Sequence, residues 1–117
     1  MPGRRIGPEP GRIKPYVQMM RSRFNRQALT VIIELRYSPS CETVWARITA
    51  DYPHDPNWGL GTAKIVRNSD GRTYNCDIPR GETVCFTQQV NDHHVTSYAH
   101  GIHDNGIYFR GARTAAY

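Results

Sequence analysis

Twenty residues, Leu29 to Ile48 (LTVIIELRYSPSCETVWARI), do more than any other stretch to restrict what this chain can become. Val31, Ile33, Leu35 and Tyr37 alternate with Ile32, Glu34 and Arg36, the two-residue period of a half-buried strand. After the polar Ser-Pro-Ser-Cys-Glu turn the period resumes, with Val44, Ala46 and Ile48 against Trp45 and Arg47. With Tyr37 opposite Val44, Leu35 faces Ala46 and Ile33 faces Ile48, and both apolar sets share one face. That register also sets Glu34 opposite Arg47 and Arg36 opposite Trp45 on the other, solvent-facing side. Each outer pair is a favourable cross-strand contact worth about 0.2–1 kcal/mol, and a one-residue slip would lose both and move the apolar set into water.

A chain of 117 residues supports one domain, which buries roughly two-thirds of the surface of its unfolded chain. Its formal charge of +5 is unevenly placed. Residues 1–27 hold seven basic groups (Arg4, Arg5, Arg12, Lys14, Arg21, Arg23, Arg26) against Glu9, whereas the rest holds eight basic and nine acidic. Electrostatic attraction to an anionic partner is therefore expected of the N-terminal segment, beside a nearly neutral body. Residues 1–15, rich in proline and glycine, read as a flexible basic arm. In residues 16–28, Val17, Met20, Phe24 and Ala28 recur at three- and four-residue steps after Pro15, the spacing of a short amphipathic helix. Such a helix would pack on the sheet as a lid, or use Arg21, Arg23 and Arg26 to meet a membrane surface, a nucleic acid or a neighbouring subunit. No run approaches the ~20 apolar residues of a membrane span. Arg4-Arg5 is followed by Ile6-Gly7-Pro8-Glu9-Pro10-Gly11 rather than by a hydrophobic region, so it is a poor export signal.

Residues 29–117 read as a β-domain. Beyond the hairpin, residues 51–61 form a long loop dense in breakers, the kind that is functional or mobile. Strands are expected over 62–67, 72–78, 83–90, 95–99 and 107–110, with tight turns at 68–71 and 79–82. Six to seven short strands with frequent turn signals predict an all-β fold: a small antiparallel β-sandwich or partly open barrel.

Candidate chemistry is sparse. His54, His93, His94, His100 and His103 tempt a metal reading, and His100-x-x-His103 more than the others, but these positions fall in or near expected turns and no Cys-x-x-Cys accompanies them. Asp51, His54 and Asp55 lack a serine or cysteine elbow to serve with them, so the chain reads as non-enzymatic, without cofactor or metal. Aromatic residues in or beside loops of a β-domain stack on sugars or proteins, which makes Tyr52, His54, Trp58 and Tyr108 the expected contact residues. The three cysteines leave two alternatives open. If Tyr74, Cys76 and Ile78 share one core with Val84 and Phe86, Cys85 points away and no bridge forms; the other register sets Cys76 directly across from Cys85 and permits one. The apolar pattern slightly favours the first and the short separation the second, with Cys41 a turn thiol in both.

Glu34-Leu35-Arg36-Tyr37-Ser38-Pro39-Ser40-Cys41 followed by Trp45-Ala46-Arg47-Ile48 resembles a family of small, mostly actinobacterial, YjfA-like domains of unknown function. Asp70-Gly71-Arg72-Thr73-Tyr74, Val90-Asn91-Asp92 and Thr96-Ser97-Tyr98-Ala99 are similar too, so the resemblance covers about residues 29–117. It implies an exported or membrane-anchored domain, and it too pushes toward a Cys76–Cys85 bridge. It supplies no catalytic residues to carry over. Relatives usually have further cysteines before the first strand, and residues 1–27 have none.

The expectation that results is a binding module of the cell envelope or extracellular space, its partner a protein or envelope polymer rather than a small molecule. The alternative is a structural assembly protein, for instance of a phage particle, that grips a neighbouring subunit with its basic arm, in a virion or in the cytoplasm. Nucleic-acid binding through that arm ranks third, since no recognition fold accompanies it.

Overall fold

In the computed structural model, residues 13–24, 27–51, 60–104 and 109–117 are described, and they are built from strands. The strands are β1 (Ile13–Phe24), β2 (Gln27–Ser38), β3 (Thr43–Ala50), β4 (Leu60–Arg67), β5 (Thr73–Asp77), β6 (Val84–Phe86), β7 (Val90–Asn91), β8 (Ser97–Asp104) and β9 (Phe109–Arg113). They form two antiparallel sheets, one ordered β1-β2-β3-β6 with β7 also on β3, the other ordered β5-β4-β8-β9. The architecture is an open sandwich rather than a closed barrel. The chain lays down the β1-β2-β3 meander, crosses to make the β4-β5 hairpin, returns to place β6 and β7 against β3, and crosses again for β8-β9.

The central hairpin has the register its alternation dictates: Tyr37 opposite Val44, Leu35 opposite Ala46, Ile33 opposite Ile48, Glu34 opposite Arg47 and Arg36 opposite Trp45. Its apolar face supplies Val31, Ile33, Leu35, Val44, Ala46 and Ile48 to the core, where they meet Ala63, Ile65, Cys76 and Ala99 of the second sheet. Gly61 is packed under Ile78: a Cβ there would stand 2.8 Å from Ile78 Cδ1. The β4–β5 turn is closed by Gly71 at φ 72, a left-handed conformation that glycine adopts without steric cost.

Three expectations are corrected. Residues 16–28 are not a helix. Twelve residues of β1 run antiparallel along the free edge of β2, from Tyr16 opposite Leu35 to Phe24 opposite Gln27. Helical spacing over so short a segment is a weak preference, and an open strand edge with a full row of unpaired backbone groups outweighs it. The register shifts between Ile13 and Tyr16, at Pro15, which has no N–H to give to the ladder. Lys14, Arg21 and Arg23 therefore belong to the sandwich rather than to a detachable arm; residues 1–12 and Arg26 lie outside the described residues.

Secondly, the stretch read as one strand over 83–90 is two short ones, and it does not pair with 73–77. β5 belongs to the second sheet and β6 to the first, so Cys76 and Cys85 face one another across the core and both are buried. They form a disulfide, with Cα atoms 6.2 Å apart. The bridge is the one that the resemblance implies and that the second register permits; what differs is the route, since it joins two sheets rather than the strands of one hairpin.

Thirdly, the outer face of the β2–β3 hairpin is not solvent-facing. Trp45 is fully buried, Glu34 and Arg36 are each 6 % exposed, and Phe86, opposite Arg47 on β6, is 7 % exposed. β2 and β3 have neighbours on both edges, so their outer side chains stand within the sheet rather than at its rim. Arg36 Nη1 stands 3.8 Å from Glu34 Oε2, and Arg47 Nε stands 3.9 Å from Glu34 Oε1, so one carboxylate serves two guanidiniums.

Candidate functional site

The outer face of the second sheet carries the most organised set of chemically capable side chains. Lys64 on β4 pairs with His100 on β8, and His100 pairs with Arg113 on β9. Asn75 of β5 extends the row on the other side of Lys64. Paired residues in adjacent antiparallel strands project to the same side, so Asn75, Lys64, His100 and Arg113 form one straight row across four strands. With strands about 4.8 Å apart, Lys64 and Arg113 start about 10 Å from one another with the imidazole between them. Their partners on the alternate face, Ala63, Ile65, Cys76 and Ala99, are fully buried, which fixes the row as outward-facing.

The row has an aromatic flank. The Arg113 guanidinium carbon lies 4.7 Å from the centroid of the Tyr98 ring, one strand over and two residues along from His100. Tyr98 is half-buried, and a cation over such a ring is worth about 0.5–1 kcal/mol and holds the guanidinium down on the sheet. On the other flank Gly111 leaves an opening beside the imidazole; a Cβ there would come 3.5 Å from His100 Nε2. Asp77 is diagonal to Lys64 and is engaged by the Thr62 hydroxyl, which donates to Oδ1 at 2.7 Å. The His100 imidazole is pushed below the usual histidine range, first by burial against the sheet and then by the charges of Lys64 and Arg113. It is neutral at pH 7 and becomes the third cation of the row in acid.

A second constellation lies at the end of the sandwich formed by the turns at 39–42, 68–71 and 91–96. Arg67 binds Asp70 through both guanidinium arms, at 3.0 and 2.5 Å, and donates to the Asn91 carbonyl at 3.2 Å. The guanidinium, helped by the Arg72 backbone N–H, holds the Asp70 carboxyl well below the usual carboxylate range. Ser97 donates to Asp92, whose carboxyl is nevertheless raised by burial. Glu42 contacts His93, and the His93 ring is tilted against that of His94 with centroids 3.8 Å apart. Both Glu42 and His94 have left-handed backbones, at φ 50 and 57. Tyr117 packs edge-on against Tyr37 with centroids 4.8 Å apart, and its backbone exchanges two hydrogen bonds with Ser97. These contacts fasten turns to one another; Arg67 and Asp70 are spent on each other rather than offered to a ligand.

The residues singled out from sequence are dispersed. Tyr52, His54, Trp58, Tyr108 and Arg26 lie outside the described residues. Arg21 and Arg23 are on β1, in register with Thr30 and Ala28. His100 and His103, three apart on β8, occupy opposite faces of a strand; His103 is 3 % exposed on the core side, so the two imidazoles do not converge. Among the described residues no three His, Cys, Asp or Glu side chains come together as a metal site. Cys41 is an exposed thiol in the 39–42 turn. The Lys64–His100–Arg113 row was missed because β8 was read as ending at Ala99. The signal was present: Tyr98, His100 and Ile102 alternate with Ala99, Gly101 and His103, and Gly101 interrupted the apolar half of that pattern.

The geometry defines the class: an antiparallel β-sandwich with a disulfide between its sheets. Residues 17–113 match the family described as "Protein of unknown function (DUF2690)", and the chain belongs to that family. It is also similar to the protein called "Uncharacterized protein YjfA" of Bacillus subtilis (strain 168), at 37% identity over 78 residues, covering 60% of this chain and 49% of that one. The chain thus spans about half the length of the curated relative it matches, and that relative is a Bacillus rather than an actinobacterial protein. No solved structure matches the chain significantly.

Proposed function

We propose that this domain is a non-enzymatic binding module of the cell envelope or extracellular space, and that it meets its partner through the outer face of β4, β8 and β9. The observation that carries the reading is the Lys64–His100–Arg113 row flanked by Tyr98. Cations in a line across adjacent strands complement an extended anionic surface, and the half-buried Tyr98 ring beneath Arg113 holds one of them in place. The Cys76–Cys85 bridge supports the location, because disulfides persist in oxidising compartments and are rare in the cytosol. Among the described residues no helix is long and apolar enough to cross a membrane. The assembly alternative asked residues 1–27 to grip a neighbour, yet residues 13–24 are an edge strand of the first sheet, so removing that segment would uncover the edge of β2.

The test is cosedimentation of the full chain with purified cell walls of Bacillus subtilis. A Lys64→Glu/Arg113→Glu double variant, checked for an unchanged fold by circular dichroism, is expected to lose at least about tenfold in wall binding, since two attractive contacts of roughly 1 kcal/mol each become repulsive. Unchanged binding would contradict the reading.

A further inference from the structure

Resting on that reading, we infer that the ligand of the β4–β8–β9 face is a phosphodiester-linked polyanion, bound along the Asn75–Lys64–His100–Arg113 row more tightly in acid than at neutral pH. Two features of the geometry select this chemistry. The cations are spread along a line of about 10 Å instead of converging on a point, so the row fits successive charges of a polymer better than one phosphate or one carboxylate. The middle position, moreover, is a histidine held between two fixed cations.

The groups around His100 are Lys64 from β4, Arg113 from β9, Tyr98 of its own strand, and Asp77 diagonally across on β5. Asp77 is engaged by Thr62 and lies one strand beyond Lys64, so the nearest charges to the imidazole are both positive. His100 therefore gains its charge only as the medium becomes acidic, the direction in which carboxylates lose theirs. A phosphodiester keeps its charge throughout. A row that gains a cation in acid thus gains affinity for a diester polymer, while it faces a weakening target in a carboxylate polymer. Binding of the polyanion in turn draws a proton onto His100, so the two are reciprocally linked.

The experiment compares binding of the full chain to poly(glycerol phosphate) and to polygalacturonate at about pH 5 and about pH 7.5, over a salt series, for the wild type and His100→Gln. For a flexible polyanion each neutralised charge contributes a slope of about −0.7 in log affinity against log salt. Between about 50 and 200 mM salt the wild type is expected to lose about sevenfold at the higher pH, with two cations engaged, and about twentyfold at the lower, with three. His100→Gln is expected to show the smaller loss at both. Equal salt slopes for the wild type at the two pH values, retention of the acid gain in His100→Gln, or equal preference for polygalacturonate would each overturn the inference. If neither polymer binds but intact walls still do so through Lys64 and Arg113, the ligand assignment fails and the binding-module reading stands. If walls are not bound either, both fail.

Discussion

Glu34 shows how much one residue's role depends on what lies over it. Its pairing with Arg47 followed from the hairpin, because alternation excludes a one-residue slip and the Ser-Pro-Ser-Cys-Glu turn and the favourable outer pairs select among the rest. Its burial did not follow: alternation separates two faces of a strand but does not say whether the second face is covered. As built, the carboxylate lies between Arg36 and Arg47, with 7 % of its side chain exposed. Removing a buried charge from a paired set strands its partners, at about 3–5 kcal/mol, whereas replacing the set with apolar groups of similar volume is close to neutral. Glu34→Gln is therefore expected to lower unfolding stability in urea by about 3 kcal/mol, and Glu34→Met/Arg36→Met by clearly less. A Glu34→Gln loss below about 0.5 kcal/mol would show that the cluster is solvated in solution. His100 gives the complementary lesson, since its neighbours in sequence say nothing of the two cations that flank it from β4 and β9.

At the scale of elements, local pattern identified strands better than it identified their partners. The 29–48 hairpin and the 68–71 turn were legible because turn chemistry and period agree. β1 was misread, because Val17, Met20 and Phe24 satisfy a helical period by chance while the free edge of β2 decides the outcome. β5 and β6 were each visible as extended segments, but the 79–82 turn carries the chain from one sheet to the other, which a pairwise hairpin argument does not consider. The inter-sheet disulfide is the consequence. It closes a short loop, nine residues apart in sequence, for which the chain-entropy relation gives about 2.7 kcal/mol. A Cys76→Ala/Cys85→Ala variant should accordingly unfold at lower urea with a loss of about 3 kcal/mol, and alkylation of the native protein should modify one thiol, Cys41. Three reactive thiols in the folded protein would contradict the bridge.

For the whole molecule, two regions compete as the working surface. One is the end built from the 39–42, 68–71 and 91–96 turns, whose polar groups are largely committed to each other. The other is the outer face of the second sheet, where Lys64, His100 and Arg113 stand in line beside Tyr98. Charge counting along the chain pointed to the N-terminal segment; folding instead assembles a cationic row from three residues spread between positions 64 and 113, each inconspicuous alone. The measurement that separates these surfaces most directly is a nuclear magnetic resonance titration of the isotope-labelled chain with solubilised cell-wall polymer, followed at the backbone amides. The account predicts shifts centred on Lys64, Tyr98, His100 and Arg113, growing as the pH is lowered from about 7.5 to about 5. Shifts confined to Cys41, Glu42, His93 and His94, with β4, β8 and β9 unmoved, would contradict it.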